Sequence, residues 1–258
     1  MEPITSRQNN KVKLANALLG RARTRRKEGQ IVLEGVRLVQ DAWENGSAPD
    51  FVLYTPNAAD DLIEQMQSGG VEVAPVDEDV MQYITDTQTP QGVVGVFPLP
   101  QPTYPLGAER VLVIDAIRDP GNLGTLLRTA AGAGIDVVVL APGCVDAYNP
   151  KVLRGGMGAH FRMPVVTMDW AEIGAQVAVS AFYLAAGEAE TSYDRIPWAQ
   201  HAWALIIGSE AHGASVEAQA ATTVPIRIPM AHATESLNAA AAAAVILFEA
   251  ARQQRETP

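Results

Sequence analysis

In Asp119-Pro-Gly-Asn-Leu-Gly-Thr-Leu-Leu-Arg128 an amide side chain, Asn122, and a guanidinium, Arg128, stand six residues apart behind an apolar run that reads as a strand. Backbone amides at a helix start placed after a strand can hold an anion, and a guanidinium adds a charged donor fork. Asn122 and Arg128 are expected near one face of that helix start. The plainer alternative makes Asn122 an N-cap and Arg128 a surface charge. No Gly-Lys-Ser/Thr follows, so this is not a phosphate loop. The nearest Gly-x-Gly, Gly132 to Gly134, ends a helix before a strand, the reverse of a dinucleotide fingerprint.

Two further segments group similar chemistry. Ile207-Gly-Ser-Glu-Ala-His-Gly213 again follows an apolar run. Gly208 would let a ligand approach the backbone closely, and Glu210 places an acid at a strand's carboxyl end. A glycine turn with an exposed glutamate is the alternative. In Ile228-Pro-Met-Ala-His-Ala-Thr-Glu-Ser-Leu-Asn238, a polar loop precedes an alanine run. Ser236 is expected to cap the helix that follows. Close packing accounts for the alanines but not for Thr234, Glu235, Ser236 and Asn238.

These segments need a scaffold. Residues 98–109, with four prolines and no hydrophobic periodicity, read as a linker between a domain over 1–97 and another over 110–258. In the second, short apolar strands at 111–115, 137–140, 182–185, 204–207 and 224–228 alternate with helices, the last spanning about 236–253. That pattern indicates a parallel sheet buried on both faces, with its ligand at the carboxyl ends of the strands. In the first, strands near 31–33, 51–54, 71–73 and 93–97 alternate with helices, including a basic one over 11–26. This implies a smaller α/β sandwich.

Hydrophobic residues make up 48% of the chain, enough for two cores. The net charge of −10 argues against a nucleic-acid partner until its distribution is read. Residues 1–40 carry nine bases and three acids, a local +6, which leaves −16 for the rest. A basic patch on an acidic protein still binds phosphate locally, since salt screens charges beyond about 8–10 Å; a solvated helix face is the alternative. One cysteine, Cys144, excludes an internal disulfide framework and suits a reducing cytoplasm. The opening residues lack the apolar stretch of a secretory signal, and no apolar run reaches the length of a membrane span. His160, His201, His212 and His232 show no ligand-like spacing, so no metal is expected.

Taken in order, the three segments resemble the motifs of the SpoU or TrmH family of RNA 2′-O-ribose methyltransferases. Asn122, Gly124 and Arg128 match the first, Gly208, Glu210 and Gly213 the second, and Ile228–Met230 with Ser236–Asn238 the third. The resemblance covers about residues 110–255. Residues 4–97, from Ser6-Arg7-Gln8-Asn9 to Glu34-Gly35, resemble the ribosomal-protein-like RNA-binding domain that often precedes it. Relatives commonly show Arg-Ala-Ser where this chain has Arg154-Gly155-Gly156, so it lacks the hydroxyl that they carry there.

The resemblance implies a deep trefoil knot in the carboxyl domain, a rare exception to unknotted topology, and a homodimer with the active site beside its interface. It implies S-adenosylmethionine bound by Gly208, Ile228 and Leu237, with Ala186, Gly187 and Met230 nearby. The family assigns removal of the ribose hydroxyl's proton to the arginine matching Arg128. A guanidinium normally stays charged, so the alternative has Arg128 bind the target phosphate and stabilise the developing alkoxide. Asn122 and Glu210 would position Arg128 or the ribose, and Ser236 and Asn238 the knot loop and nucleotide. Arg7, Lys11, Arg21, Arg23, Arg25 and Arg26 would grip RNA, with ribosomal RNA expected before transfer RNA. A catalytically idle RNA-binding or ribosome-assembly factor on the same fold is the competing reading. A nicotinamide oxidoreductase lacks its glycine fingerprint. Cofactor titration separates all three.

Overall fold

A computed structural model of the chain describes residues 2–56, 58–209, 213–231 and 236–256. Glu210, among the expected site residues, lies outside them, as do His212, His232, Thr234 and Glu235. The chain divides into two compact units, Met1–Gln101 with Tyr148–Phe161, and Pro102–Ala147 with Arg162–Pro258. Tyr148–Phe161 was expected with the carboxyl domain. It belongs to the first unit because Leu153, 1% exposed, is buried in that unit's core with Ile31, Leu33 and Phe97.

The first unit runs α1 (Asn10–Gly20), α2 (Ala22–Glu28), β1 (Gln30–Glu34), α3 (Val36–Glu44), β2 (Phe51–Tyr54), α4 (Asp60–Ser68), β3 (Val73–Pro75), α5 (Glu78–Tyr83) and β4 (Val93–Pro98). The sheet order is β1-β4-β2-β3, with β4 antiparallel to both neighbours and β2 parallel to β3. Strand periodicity of two separates the cores. Val32, Phe51 and Leu53 face α1 and α5, while Ile31, Leu33 and Val52 face α3 and α4.

The basic helix expected over 11–26 is two helices. It breaks at Gly20 and Arg21, where Arg21 is extended at φ −134°. Arg25 then turns its guanidinium back, and its Nη1 donates to the Leu18 carbonyl at 2.7 Å. Helix ends leave carbonyls without intrahelical partners, and here an arginine side chain satisfies them. Arg25 is 3% exposed. It is a helix-end ligand, which corrects its expected place among the RNA-gripping residues. Asn9 caps the other end of α1, accepting from the Lys11 amide at 2.9 Å.

The second unit carries β5 (Arg110–Ile114), α6 (Pro120–Ala133) and β6 (Val137–Leu140). The chain then visits the first unit as α7 (Pro150–Gly156) and returns for β7 (Val165–Thr167), α8 (Trp170–Gln176), β8 (Ala181–Ala185), β9 (Thr191–Ser192), β10 (Trp203–Ile207), α9 (Val216–Ala221), β11 (Val224–Arg227) and α10 (Ala239–Glu256). Among the described residues seven strands pair in the order β7-β6-β5-β10-β8-β11-β9, every pair parallel. Val111, Val113, Val137, Val139, Ala204 and Ile206 share one core with Ile173 of α8 and Ala218 of α9. On α10, Ala240, Ala243, Ile246, Leu247 and Ala250 are buried, and the helix packs on α6. The β7 and α8 elements and the short α9 went unread in the sequence. Among the described residues no helix is long and apolar enough to cross a membrane.

Candidate functional site

The carboxyl ends of β8, β10 and β11 open into a cavity of about 690 Å³. That lies within the range of small-molecule pockets, about 300–1,000 Å³, and at the expected end of a parallel sheet. Ala186 and Gly187 follow β8, Gly208 follows β10, Ile228 and Met230 follow β11, and Leu237 leads into α10. All six residues expected to hold the cofactor line this one cavity, together with Ser236 and Asn238. Glu188 is the one charged side chain among the described lining residues.

Backbone pins hold the cavity's rim. Ser209 and Gly213 exchange backbone hydrogen bonds at 3.0 and 2.9 Å. Ser215 donates its amide to Asp115 Oδ2 at 2.7 Å. Asp115, 1% exposed, closes the apolar run of β5. Sequence reasoning missed it, although a carboxylate ending a buried strand is itself a signal. Gly208 was expected to be small for the ligand's sake. The structure gives another reason: a Cβ there would sit 2.8 Å from the Ala214 backbone nitrogen and 2.9 Å from the Gly213 carbonyl carbon. The loop's own backbone demands the glycine.

Asp119, not Asn122, caps α6, accepting from the Asn122 amide at 2.8 Å with Pro120 at the first turn. Asn238, not Ser236, caps α10. Its Oδ1 accepts from the Ala240 amide at 3.0 Å and the Ala241 amide at 3.3 Å. Its Nδ2 donates to Asn122 Oδ1 at 3.2 Å. One amide side chain thus ties the start of α10 to the start of α6 while lining the cavity. The expectation that Asn122 and Arg128 share a helix face is not met. Six residues of helix separate them by about 120° around the axis and about 9 Å along it. Arg128 is exposed on α6, does not line the cavity, and makes no ion pair or hydrogen bond with the described residues.

Among the other cations, Arg21, Arg23 and Arg26 are exposed on and beside α2. Arg7 lies over the Tyr83 ring at 4.9 Å. Lys11 pairs with Glu72 and sits 5.2 Å over the Phe51 ring. Cys144 is half-buried, its Sγ donating to the Ile114 carbonyl at 3.2 Å; burial pushes its thiol up to about 11, which keeps it unreactive. No group of three His, Cys, Asp or Glu is placed to hold a metal among the described residues.

An all-parallel sheet with a rimmed cavity at its strand ends defines a small-molecule-binding α/β domain. Residues 109–248 match the SpoU rRNA Methylase family, and residues 9–95 an MRM3-like substrate binding domain. The chain belongs to the SpoU rRNA methylase family. It is 34% identical to the 23S rRNA (guanosine(2553)-2'-O)-methyltransferase RlmP of Bacillus subtilis (strain 168), over 96% of this chain and 98% of that one. It is 35% identical to rRNA methyltransferase 3A, mitochondrial, of Danio rerio over 89% of this chain, and spans 65% of that longer relative. The AdoMet-bound rRNA methyltransferase from Sinorhizobium meliloti superposes with a TM-score of 0.86 at 29% identity, covering 97% of each chain. The SpoU methyltransferase AviRb from Streptomyces viridochromogenes, in complex with AdoMet, gives 0.84 at 26%, covering 96% of this chain and all of that one.

Proposed function

We propose that this chain transfers a methyl group from S-adenosylmethionine to a ribose 2′-hydroxyl of ribosomal RNA. The carrying observation is the convergence of all six expected cofactor residues, from four separate chain segments, on one cavity. AdoMet-bound relatives of the same fold support that cofactor, and the names of the relatives support ribosomal RNA before transfer RNA. The trefoil knot implied by the family belongs to this reading, as does a reducing cytoplasmic setting.

The cofactor supplies an electrophilic methyl on a cationic sulfur. The chain supplies the rest. Leu184, Ile207, Ile226 and Ile246 give the cavity apolar walls, and the Asn238–Asn122 bridge fixes the cavity's edge to α6. Arg128, on the same helix, is a permanent cation for the target phosphate and for charge developing on the ribose oxygen. Glu210 is assigned to position Arg128 or the ribose. Calorimetry with S-adenosylhomocysteine on the full chain should give one site per chain, and mapping of 2′-O-methyl groups with and without the gene should reveal one missing site. A folded chain that binds no S-adenosylhomocysteine leaves only the idle RNA-binding reading.

The first unit grips the RNA through exposed cations. Replacing Arg21, Arg23 and Arg26 with Ala should weaken RNA binding and reduce the log–log salt slope by about 2, from about 0.7 per phosphate contact on single strands. Arg25→Ala should instead lower stability by about 1.5–3 kcal/mol, through a lost buried charged hydrogen bond. An unchanged salt slope in the triple variant would show the basic run to be a solvated face.

The chain works as a homodimer. Helix α10 already packs one face on α6, so the surface left for a partner is the exposed stripe of Ala241, Val245 and Phe248. Apolar residues so placed mark an interface when contiguous. Light scattering at micromolar concentration should give twice the chain mass, and Phe248→Glu should give the chain mass itself. A wild-type monomer that still methylates RNA would end the dimer proposal.

A further inference from the structure

The apolar walls of the cavity do not account for Glu188, the one charged side chain among its described lining residues. Glu188 stands at the third position of a tight turn, where the Ala189 amide donates to the Ala186 carbonyl at 3.2 Å. Both ends of that turn are anchored. The Ala186 amide donates to the Ile226 carbonyl of β11 at 2.8 Å, and Ala189 is 7% exposed. Glu188 itself is exposed and makes no hydrogen bond or ion pair with the described residues. The backbone thus holds its carboxylate at the cavity's rim, with no cation among the described lining residues to neutralise it. Every one of those residues belongs to the second unit.

A methyl donor and its spent product differ by one charge. The sulfur of S-adenosylmethionine is a sulfonium. When the methyl leaves, the electron pair of the S–C bond stays on sulfur, and the product is a neutral thioether. The ribose oxygen takes the methyl, and its hydroxyl proton goes to water. Adenine, ribose and the zwitterionic amino-acid end are the same in both ligands. A sphere of 690 Å³ is about 11 Å across. That is close to the screening length of about 8–10 Å, so a rim carboxylate acts on a charge anywhere inside. For unit charges about 8 Å apart in an effective dielectric of about 30–70, the attraction shifts an equilibrium by about three- to tenfold.

We propose that Glu188 is a specificity-determining residue: its carboxylate favours the cationic methyl donor over the neutral product, so that transfer itself loosens the spent cofactor. The proposal rests on the methyltransferase reading above. Calorimetry on the full chain, with S-adenosylmethionine and S-adenosylhomocysteine titrated separately, gives two affinities, and their ratio cancels the contacts that both ligands share. Glu188→Gln keeps the shape of the side chain and removes its charge. It should lower the affinity for the donor relative to the product by about three- to tenfold. Glu188→Asp should keep the ratio within about twofold of wild type, because the charge remains. In the wild-type chain the ratio should fall toward that of Glu188→Gln as salt rises from about 0.05 to about 0.5 M, while the ratio of the variant stays flat. Glu109→Gln is the control with the same change in net charge. Exposed Glu109 precedes the five-residue β5, at the amino end of a strand about 16 Å long, and its loss should leave the ratio unchanged. A Glu188→Gln ratio within about twofold of wild type, whether the two affinities hold or fall together, overturns the proposal and leaves the enzyme standing. A wild-type chain that binds neither ligand overturns the methyltransferase reading instead.

Discussion

Arg128→Ala is expected to lower methyl transfer by about 10²–10³-fold, the range for removing one preorganised charged or hydrogen-bonding group from a developing oxyanion. Cofactor affinity should move by no more than about twofold, because Arg128 is not part of the cavity wall. RNA binding should largely survive, since the exposed cations of the first unit remain. The combination of an intact cofactor site and failed turnover separates chemistry from binding. Arg128→Lys should recover only part of the rate, because a lysine supplies charge without the planar fork. An Arg128→Ala enzyme within a factor of a few of wild type at saturating substrates would reduce Arg128 to a surface charge.

Gly208→Ala should remove measurable S-adenosylhomocysteine binding, with at least a hundredfold loss of affinity, although only one methyl group is added. That methyl has backbone on its far side, at 2.8–2.9 Å, with no flexible side chain to swing away. Either the end of β10 or the Gly213–Ser215 stretch must shift, and the latter is held to Asp115 through the Ser215 amide. Gly174→Ala is the matched control. Its Cβ meets nothing within 4 Å, and an alanine inside α8 should stabilise by about 0.5–1 kcal/mol. If both variants bind S-adenosylhomocysteine like wild type, the rim at Gly208 is not the cofactor's wall.

Strands were legible where the sequence offered short runs of β-branched and aliphatic residues. Val137–Leu140 and Phe51–Tyr54 form as read, and the parallel sheet follows from their alternation with helices. The cavity was legible only through motif resemblance. Periodicity cannot show that Ala186, Gly208 and Ile228 converge, because that depends on strand register and on the order β10-β8-β11. The cap expected at Ser236 was misread, and Asn122, a cap only in the alternative reading, is not one either. Asp119 and Asn238 compete with Asn122 and Ser236 for those positions, and the winners are set by where each helix begins. Arg25 was hidden by its neighbours: in a run of cations, nothing but the preceding Gly20 warns that one of them turns inward. The destination of Leu153 was not readable at all, since an apolar residue on a helix does not say which core it enters.

Synthesis runs from the amino terminus, and the first unit is discontinuous in the chain. Its first stretch ends at Gln101, but its last residue, Phe161, is made 60 positions later. At about 5–20 residues per second, that is a wait of about 3–12 s. Local collapse of such a stretch takes well under a millisecond. The growing chain therefore holds a nearly finished sheet whose Leu33 and Phe97 still lack the cover of Leu153, while strands of another fold are already emerging behind it. The nascent chain is most exposed to mispairing in that interval, and an insertion anywhere in 102–147 lengthens it.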